Sequence, residues 1–266
     1  MKQVALLGIP LDFNSSHLRG TALGPQKIRD ALNSGSMNWC AENGVDLKKN
    51  YNWKDLGDIE CGDEYLAFQK IESLVMHQLR EGNKVLTLGG DHSITYPILS
   101  AYARIYPDIT ILHFDAHPDL YDELDGNPFS HACPFARIME ENLAKRLIQV
   151  GIRTINPHQR DQIERYGVEV IEMQNWNGLQ SLDEMEIEGP LYLSFDMDAL
   201  DPSCAPGVSH HEPGGLTVRQ VLEVIQDLEV ELVGADIVEY NPVQDINDMT
   251  AFVGAKLFKE FMVKML

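Results

Sequence analysis

Two carboxylates and an imidazole fall on alternate residues in Phe114-Asp115-Ala116-His117-Pro118-Asp119. The run before them, Thr110-Ile111-Leu112-His113, is apolar and β-branched, and short enough for a buried parallel strand. Residues two apart in an extended chain share a face, so Asp115, His117 and Asp119 can converge on one point. Converged carboxylates repel one another and resist desolvation unless a cation sits between them. Alone, the pattern also fits a helix-capping acid beside a surface histidine. Three further stretches separate the two readings. Gly89-Gly90-Asp91-His92-Ser93 follows Lys84–Leu88, Asp196-Met197-Asp198 follows Leu191–Phe195, and Glu239 follows Leu232–Val238. Four strand candidates therefore end in a histidine or an acid at their C-terminal ends, where open parallel α/β sheets place their ligand sites.

Asp115, Asp119, Asp196 and Asp198 with His92 and His117 offer six ligands. One catalytic zinc usually takes three and keeps a position open. Six ligands, some able to bridge, suit two metals about 3.5–4 Å apart with a shared water or hydroxide. Oxygen-rich ligation with two imidazoles and no thiolate points toward manganese, two per subunit, with zinc, iron or cobalt as alternatives.

Ligands delivered from several strand ends require a parallel sheet. Strands are expected at 4–9, 51–56, 84–88, 110–114, 147–152, 168–172, 191–195 and 232–238. Helices are expected at 24–32, 63–81, 95–106, 134–142, 157–166, 217–228 and 248–265. The alternation predicts one α/β domain over 1–266, a three-layer α/β/α fold with a doubly wound, mainly parallel sheet of about eight strands. Ser34–Asn50, rich in Asn, Ser and Gly, reads as a loop carrying little core.

The chain has 266 residues, 44% hydrophobic and 23% charged, which suits a globular domain that needs no disulfide to fold. A formal charge of −20 disfavours nucleic acid and anionic membranes and is compatible with a small cationic substrate. No run approaches the roughly 18 apolar residues of a membrane span, and the first residues run directly into strand-like sequence, unlike a signal peptide. Cys40, Cys61, Cys133 and Cys204 lack CxxC spacing and read as free thiols. A cytoplasmic protein is expected.

The blocks Gly-Gly-Asp-His-Ser, Asp-Ala-His-Pro-Asp, Ser-Phe-Asp-Met-Asp-Ala-Leu-Asp-Pro and Val-Glu-Tyr-Asn-Pro resemble, in order and spacing, the signatures of the ureohydrolase (arginase/agmatinase) family. Asn127-Pro-Phe-Ser-His131-Ala-Cys-Pro, Gly151-Ile-Arg-Thr-Ile-Asn and Ala205-Pro-Gly-Val-Ser-His-His-Glu-Pro-Gly-Gly resemble its plant-type arginases. The resemblance implies that His92, Asp115, His117, Asp119, Asp196 and Asp198 hold two manganese ions, and that Asp119 takes a proton from the bridging hydroxide. It implies that Glu239 holds a guanidinium group and that His131 is a proton shuttle. It also implies a homo-oligomer, a hexamer or trimer.

The expected reaction is hydrolysis of L-arginine to L-ornithine and urea. Agmatine is the alternative substrate, followed by other guanidino or formimino compounds. From another class, a non-catalytic metal-binding protein of the same fold is the remaining alternative. Animal-type arginases carry acids in the loop after the Gly-Leu-Arg strand, where this chain has Arg153-Thr154-Ile155-Asn156. Asn127, Ser130 and Asn156 are therefore the candidates for reading the amino-acid end of the substrate. His113 reads as a core histidine, Asp91 as a support for His92, and Asp201 as a turn residue. Cys133 reads as a small buried residue. His210 and His211 are expected to have at most a loop or supporting role.

Overall fold

The computed structural model describes residues 3–62 and 64–266. Eight strands form one sheet, all parallel: β1 (Val4–Ile9), β2 (Trp53–Asp58), β3 (Lys84–Gly89), β4 (Thr110–Phe114), β5 (Arg146–Ile152), β6 (Glu169–Glu172), β7 (Leu191–Asp196) and β8 (Leu232–Val238). Their order is β2-β1-β3-β8-β7-β4-β5-β6. The helices are α1 (Gly24–Asn33), α2 (Glu64–Arg80), α3 (Thr95–Ala103), α4 (Pro134–Glu140), α5 (Pro157–Tyr166), α6 (Gln180–Asp183), α7 (Val218–Asp227) and α8 (Met249–Met265). Asp63, where the second helix was expected to begin, lies outside the described residues.

Central strands are buried on both sides, so they read as mainly apolar runs rather than alternating ones. Alternation survives as a choice of face. Leu112 and Phe114 pack with α1, α7 and α8, whereas Ile111 packs with α2, α3 and α4. Leu193 and Tyr192 divide in the same way. Two apolar cores thus sandwich the sheet, giving the expected three layers.

Local signals fix the helix starts. Pro25 opens α1 and Pro157 opens α5, positions where the missing N–H has no partner to lose. Thr217 and Gln220 form a reciprocal capping box on α7.

Two expectations need correction. β2 begins and ends two residues later than expected, because it is an exposed edge strand with one partner and no apolar run to mark it. Ser34–Asn50 is irregular, yet Ala41 and Leu47 are buried and Met37, Trp39 and Val45 pack on the α1/α7/α8 core. Side chains rather than a ladder pin this stretch. Glu42 accepts from both terminal nitrogens of Arg219 at 2.9 and 2.8 Å, and its own N–H donates to Glu260 at 2.9 Å.

β3 ends where the backbone of residue 90 passes against the loop after β1. A Cβ at Gly90 would lie 1.8 Å from the carbonyl oxygen of Leu11. That contact seats the His92 turn, since Asp91 N–H donates to the same oxygen at 2.8 Å. Gly90→Ala should cost about 2–3 kcal/mol, lowering the melting temperature by roughly 5–10 °C for a chain of this size. An unchanged melting temperature would show that the Leu11 segment can move aside.

Candidate metal centre

Leu88, Ile237, Phe195 and Phe114 form one row across β3, β8, β7 and β4, the four central strands. Asp115 and Asp196 follow that row directly, and Glu239 and His92 lie two and four residues beyond it. Residues up to about 150 positions apart in sequence therefore meet at one edge of the sheet.

The chain leaves each strand in a conformation that turns the acid or histidine at its end inward. Asp91 caps a 3-10 turn over His92–Ile94, accepting from Ser93 N at 3.1 Å and Asn14 N at 3.0 Å. Asp196 caps the turn Met197–Ala199, accepting from Asp198 N at 2.7 Å. Asp119 and Glu239 have φ of 51° and 62°. Non-glycine residues held in the left-handed region cost about 1–3 kcal/mol each and concentrate at functional sites.

His92 Nδ1 lies 3.3 Å from Asp115 Oδ2, 3.1 Å from Asp119 Oδ2 and 3.2 Å from Asp196 Oδ2. It is fully buried and has no hydrogen-bond partner of acceptable geometry. On the other side, His117 Nδ1 lies 3.3 Å from Asp115 Oδ1 and 3.1 Å from Asp198 Oδ2. Asp115 therefore sits between two donor groups, one oxygen toward each. Neighbouring donors on an octahedron whose centre is about 2.1 Å from each of them are about 3 Å apart, which is the spacing found here. The residues fit a pair of divalent cations.

Charge makes the same point. Asp115, Asp119, Asp196 and Asp198 are buried, and among the described residues none pairs with a lysine or arginine. Burial and the neighbouring Asp198 and Asp115 push the Asp196 carboxyl well above the usual range. Burial and Asp115 push Asp119 up to about 6. Burial also opposes ionisation of Asp115, but hydrogen bonds from His113 and His117 outweigh it and hold that carboxyl well below the usual range. Gln149 Nε2 donates to Pro118 O at 2.7 Å and to His113 Nδ1 at 3.0 Å, so His113 carries its proton on Nε2 and donates it to Asp115 at 2.9 Å. His92, His113 and Asp115 lie close enough to share an ion, yet this bond engages His113. It supports Asp115 instead.

Glu239 Oε1 accepts from His92 N at 3.0 Å and from His131 Nδ1 at 2.8 Å. Burial disfavours charge on His131, but the Glu239 carboxylate overcomes it and pushes the imidazole up to about 9. His131 Nε2 meets Ser16 Oγ at 2.8 Å.

The three amino-acid-end candidates differ in their surroundings. Asn127 Nδ2 donates to Asn14 at 3.0 Å, and Ser130 is buried with its hydroxyl accepting weakly from Ala132 N at 3.4 Å. Asn156 is engaged elsewhere: its oxygen caps α5 at Gln159 N, 2.9 Å, and its nitrogen donates to Tyr121. Sequence reasoning undervalued His210. Its ring lies 5.4 Å from His131, 5.7 Å from His117 and 5.5 Å from His17, with Nε2 buried and unpartnered. His211 points away, onto Pro206 O at 2.8 Å. The His-His pair was visible in sequence, but which ring faces inward depends on the loop's path.

A model of the Arginase family matches residues 2–264. "Arginase 1, mitochondrial" of Arabidopsis thaliana is 46% identical over 274 residues, 98% of this chain and 80% of that one. "Arginase 2, chloroplastic/mitochondrial" of the same plant is 47% identical over 275 residues, with the same coverage. The solved arginase from Medicago truncatula superposes with a TM-score of 0.90 at 42% identity, over 99% of this chain and 87% of that one. The organellar names of the Arabidopsis proteins overturn the expectation of a cytoplasmic protein. Among the described residues no helix is long and apolar enough to cross a membrane, but that criterion and the chain's composition test for a span, not for a compartment.

Metal loading should depend on pH with a definite sign. A carboxyl whose folded-state pKa is raised, as for Asp119 at about 6, makes the metal-free fold lose stability as pH rises through that value. A cation must displace that proton below about pH 6 and meets a bare carboxylate above it. The gain in melting temperature on adding Mn2+ should be larger at about pH 7.5 than at about pH 5.5. An equal or reversed gain would contradict this account of the acid cluster.

Proposed function

The chain belongs to the arginase family, and on that basis we propose that it hydrolyses L-arginine to L-ornithine and urea with two manganese ions per subunit. The observation that carries this reading is the buried quartet of acids flanked by His92 and His117, with no lysine or arginine paired to it among the described residues. His92, Asp115, Asp119 and Asp196 would surround one ion, and Asp115, His117 and Asp198 the other, with Asp115 shared. When bound, the two cations supply Lewis acidity and make water nucleophilic at neutral pH.

The protein's own groups account for the remaining chemistry. Glu239 uses Oε1 to hold His92 and His131, which leaves Oε2 for the N–H groups of a planar guanidinium. Fixing that plane above the acid cluster presents its carbon to the attacking water. Asp119 accepts a proton from that water. His131, raised to about 9, is protonated at neutral pH and can donate to the departing amine. Ser16 lies on its other nitrogen, toward the surface.

One observation favours agmatine as the alternative substrate. The polar groups of the loop after β5 are engaged: Arg153 donates to the carbonyls of Gly151, Asp198, Ala199 and Glu212, Thr154 to that of Ala116, and Asn156 caps α5. Asn127 is engaged too, with Nδ2 donating to Asn14 and Oδ1 accepting from Phe129 N at 2.9 Å, so Ser130 is the least engaged of the three candidates for the α-carbon end. A trimer or hexamer is part of the same reading, supported by the exposed Val243 and Ile246 on the loop between β8 and α8 and the exposed Met249 at the start of α8.

The decisive measurement is urea release from L-arginine and from agmatine in parallel by Mn2+-loaded protein. Arginine should be turned over with the higher kcat/KM, and a preference for agmatine would overturn the substrate assignment. His131→Asn should lower kcat by about 10²- to 10⁴-fold. Glu239→Gln should raise KM with two metals still bound, and loss of metal in that variant would reassign Glu239.

A further inference from the structure

Asp236 lies in the middle of β8, fully buried, in register with Thr87 on β3 and Ser194 on β7. An acid inside an otherwise apolar strand needs its charge satisfied locally, and Asp236 accepts four hydrogen bonds. Oδ1 receives Ser194 Oγ at 2.8 Å and Phe195 N at 3.3 Å. Oδ2 receives Tyr192 OH at 2.8 Å and Thr95 Oγ1 at 3.0 Å. A carboxylate only accepts, and a serine hydroxyl has one proton to give. Ser194 therefore donates to Asp236 and turns a lone pair to its other neighbour, His92 Nε2 at 3.0 Å. His92 must carry a proton on Nε2.

The consequence appears across the ring. With Nε2–H fixed on Ser194, Nδ1 is the nitrogen turned toward the acids, and it is the buried, unpartnered atom within 3.1–3.3 Å of Asp115, Asp119 and Asp196. We propose that Asp236, acting through Ser194, is a positioning residue that fixes the ring direction and tautomer of His92, so that Nδ1 is presented to a divalent cation. Without that bond the ring is free to turn Nε2 inward or to keep its single proton on Nδ1, where the three carboxylates attract it. The hydroxyl sets polarity as well as orientation. Metal-binding histidines generally depend on such a partner for their second nitrogen.

The inference rests on the reading of His92 as a ligand, and the test separates the two. Binding of Mn2+ alone is measured by calorimetry and by metal stoichiometry after desalting, with no substrate present. Wild-type protein should bind two ions. Ser194→Ala should weaken one of the two sites by about 10- to 100-fold and leave the other unchanged, and Asp236→Asn should weaken the same site. Tyr192→Phe removes a bond to the far oxygen of Asp236 without touching the serine, so it should lower thermal stability but not metal affinity. Wild-type affinity for both ions in Ser194→Ala and Asp236→Asn would overturn the proposal. So would equal weakening by Tyr192→Phe, since Asp236 would then serve only the packing of the sheet. If Ser194→Ala does not fold, comparing Asp236→Asn with Tyr192→Phe separates the same two outcomes. A wild-type protein that binds no Mn2+ would defeat the ligand reading itself.

Discussion

Four buried carboxylates that, among the described residues, have histidines as their only basic side-chain partners are the constraint around which this molecule is built. Each ionised carboxylate taken from water costs several kcal/mol even after the surroundings relax, and Asp115, Asp119, Asp196 and Asp198 add mutual repulsion. The protein answers with local dipoles. Asp115 takes His117 N–H at 2.6 Å and His113 Nε2–H, Asp196 takes Asp198 N–H, and Asp198 takes Ala116 N–H at 3.1 Å. These bonds orient the acids but do not neutralise them, as the raised pKa values of Asp119 and Asp196 attest. A bound cation would do both, so that metal binding and stability would draw on the same groups.

The rest of the fold keeps this arrangement from relaxing. Four strand ends must stay aligned within a fraction of an ångström, and the ladders β3·β8, β8·β7 and β7·β4 set that alignment through backbone hydrogen bonds that no side chain can slip. Outside the sheet, loops are tied back to the turns that carry His92 and Asp198. Arg153 joins the Asp198 turn to the loop bearing His210 through the carbonyls of Asp198 and Glu212. Asn14 joins the loop after β1 to Asp91, Ser93 and His131. Glu239 is shared, holding both the His92 turn and the imidazole of His131. Moving one of these groups therefore displaces several others.

Much of this is legible in the amino-acid sequence. The apolar runs before Asp91, Asp115, Asp196 and Glu239 identify strands because a central parallel strand is apolar on both faces. Alternation places Asp115 and His117 on one face, and Pro, Gly and Thr mark helix ends. The edge strand β2 was misplaced and Ser34–Asn50 was undervalued for one reason. Their order comes from contacts such as Glu42 with Arg219 and Trp53 Nε1 with Leu47 O at 2.9 Å, which leave no periodic trace. His113 and Asp236 stand in plain view as polar residues inside apolar runs, but their partners Gln149 and Ser194 lie on other strands.

The amino-acid sequence by itself determined the eight strands and every helix but the short α6, because backbone propensity, capping and apolar periodicity act over a few neighbouring residues. It also supplied the family resemblance and the candidate ligands. The tertiary structure alone decided that β3, β8, β7 and β4 are adjacent, that His92 offers Nδ1 rather than Nε2, that His210 faces the site, and that Asn156 is held in a helix cap. Those outcomes depend on strand register and on which hydrogen-bond donor finds which acceptor. Both are settled between segments far apart in the chain, where local sequence has no say.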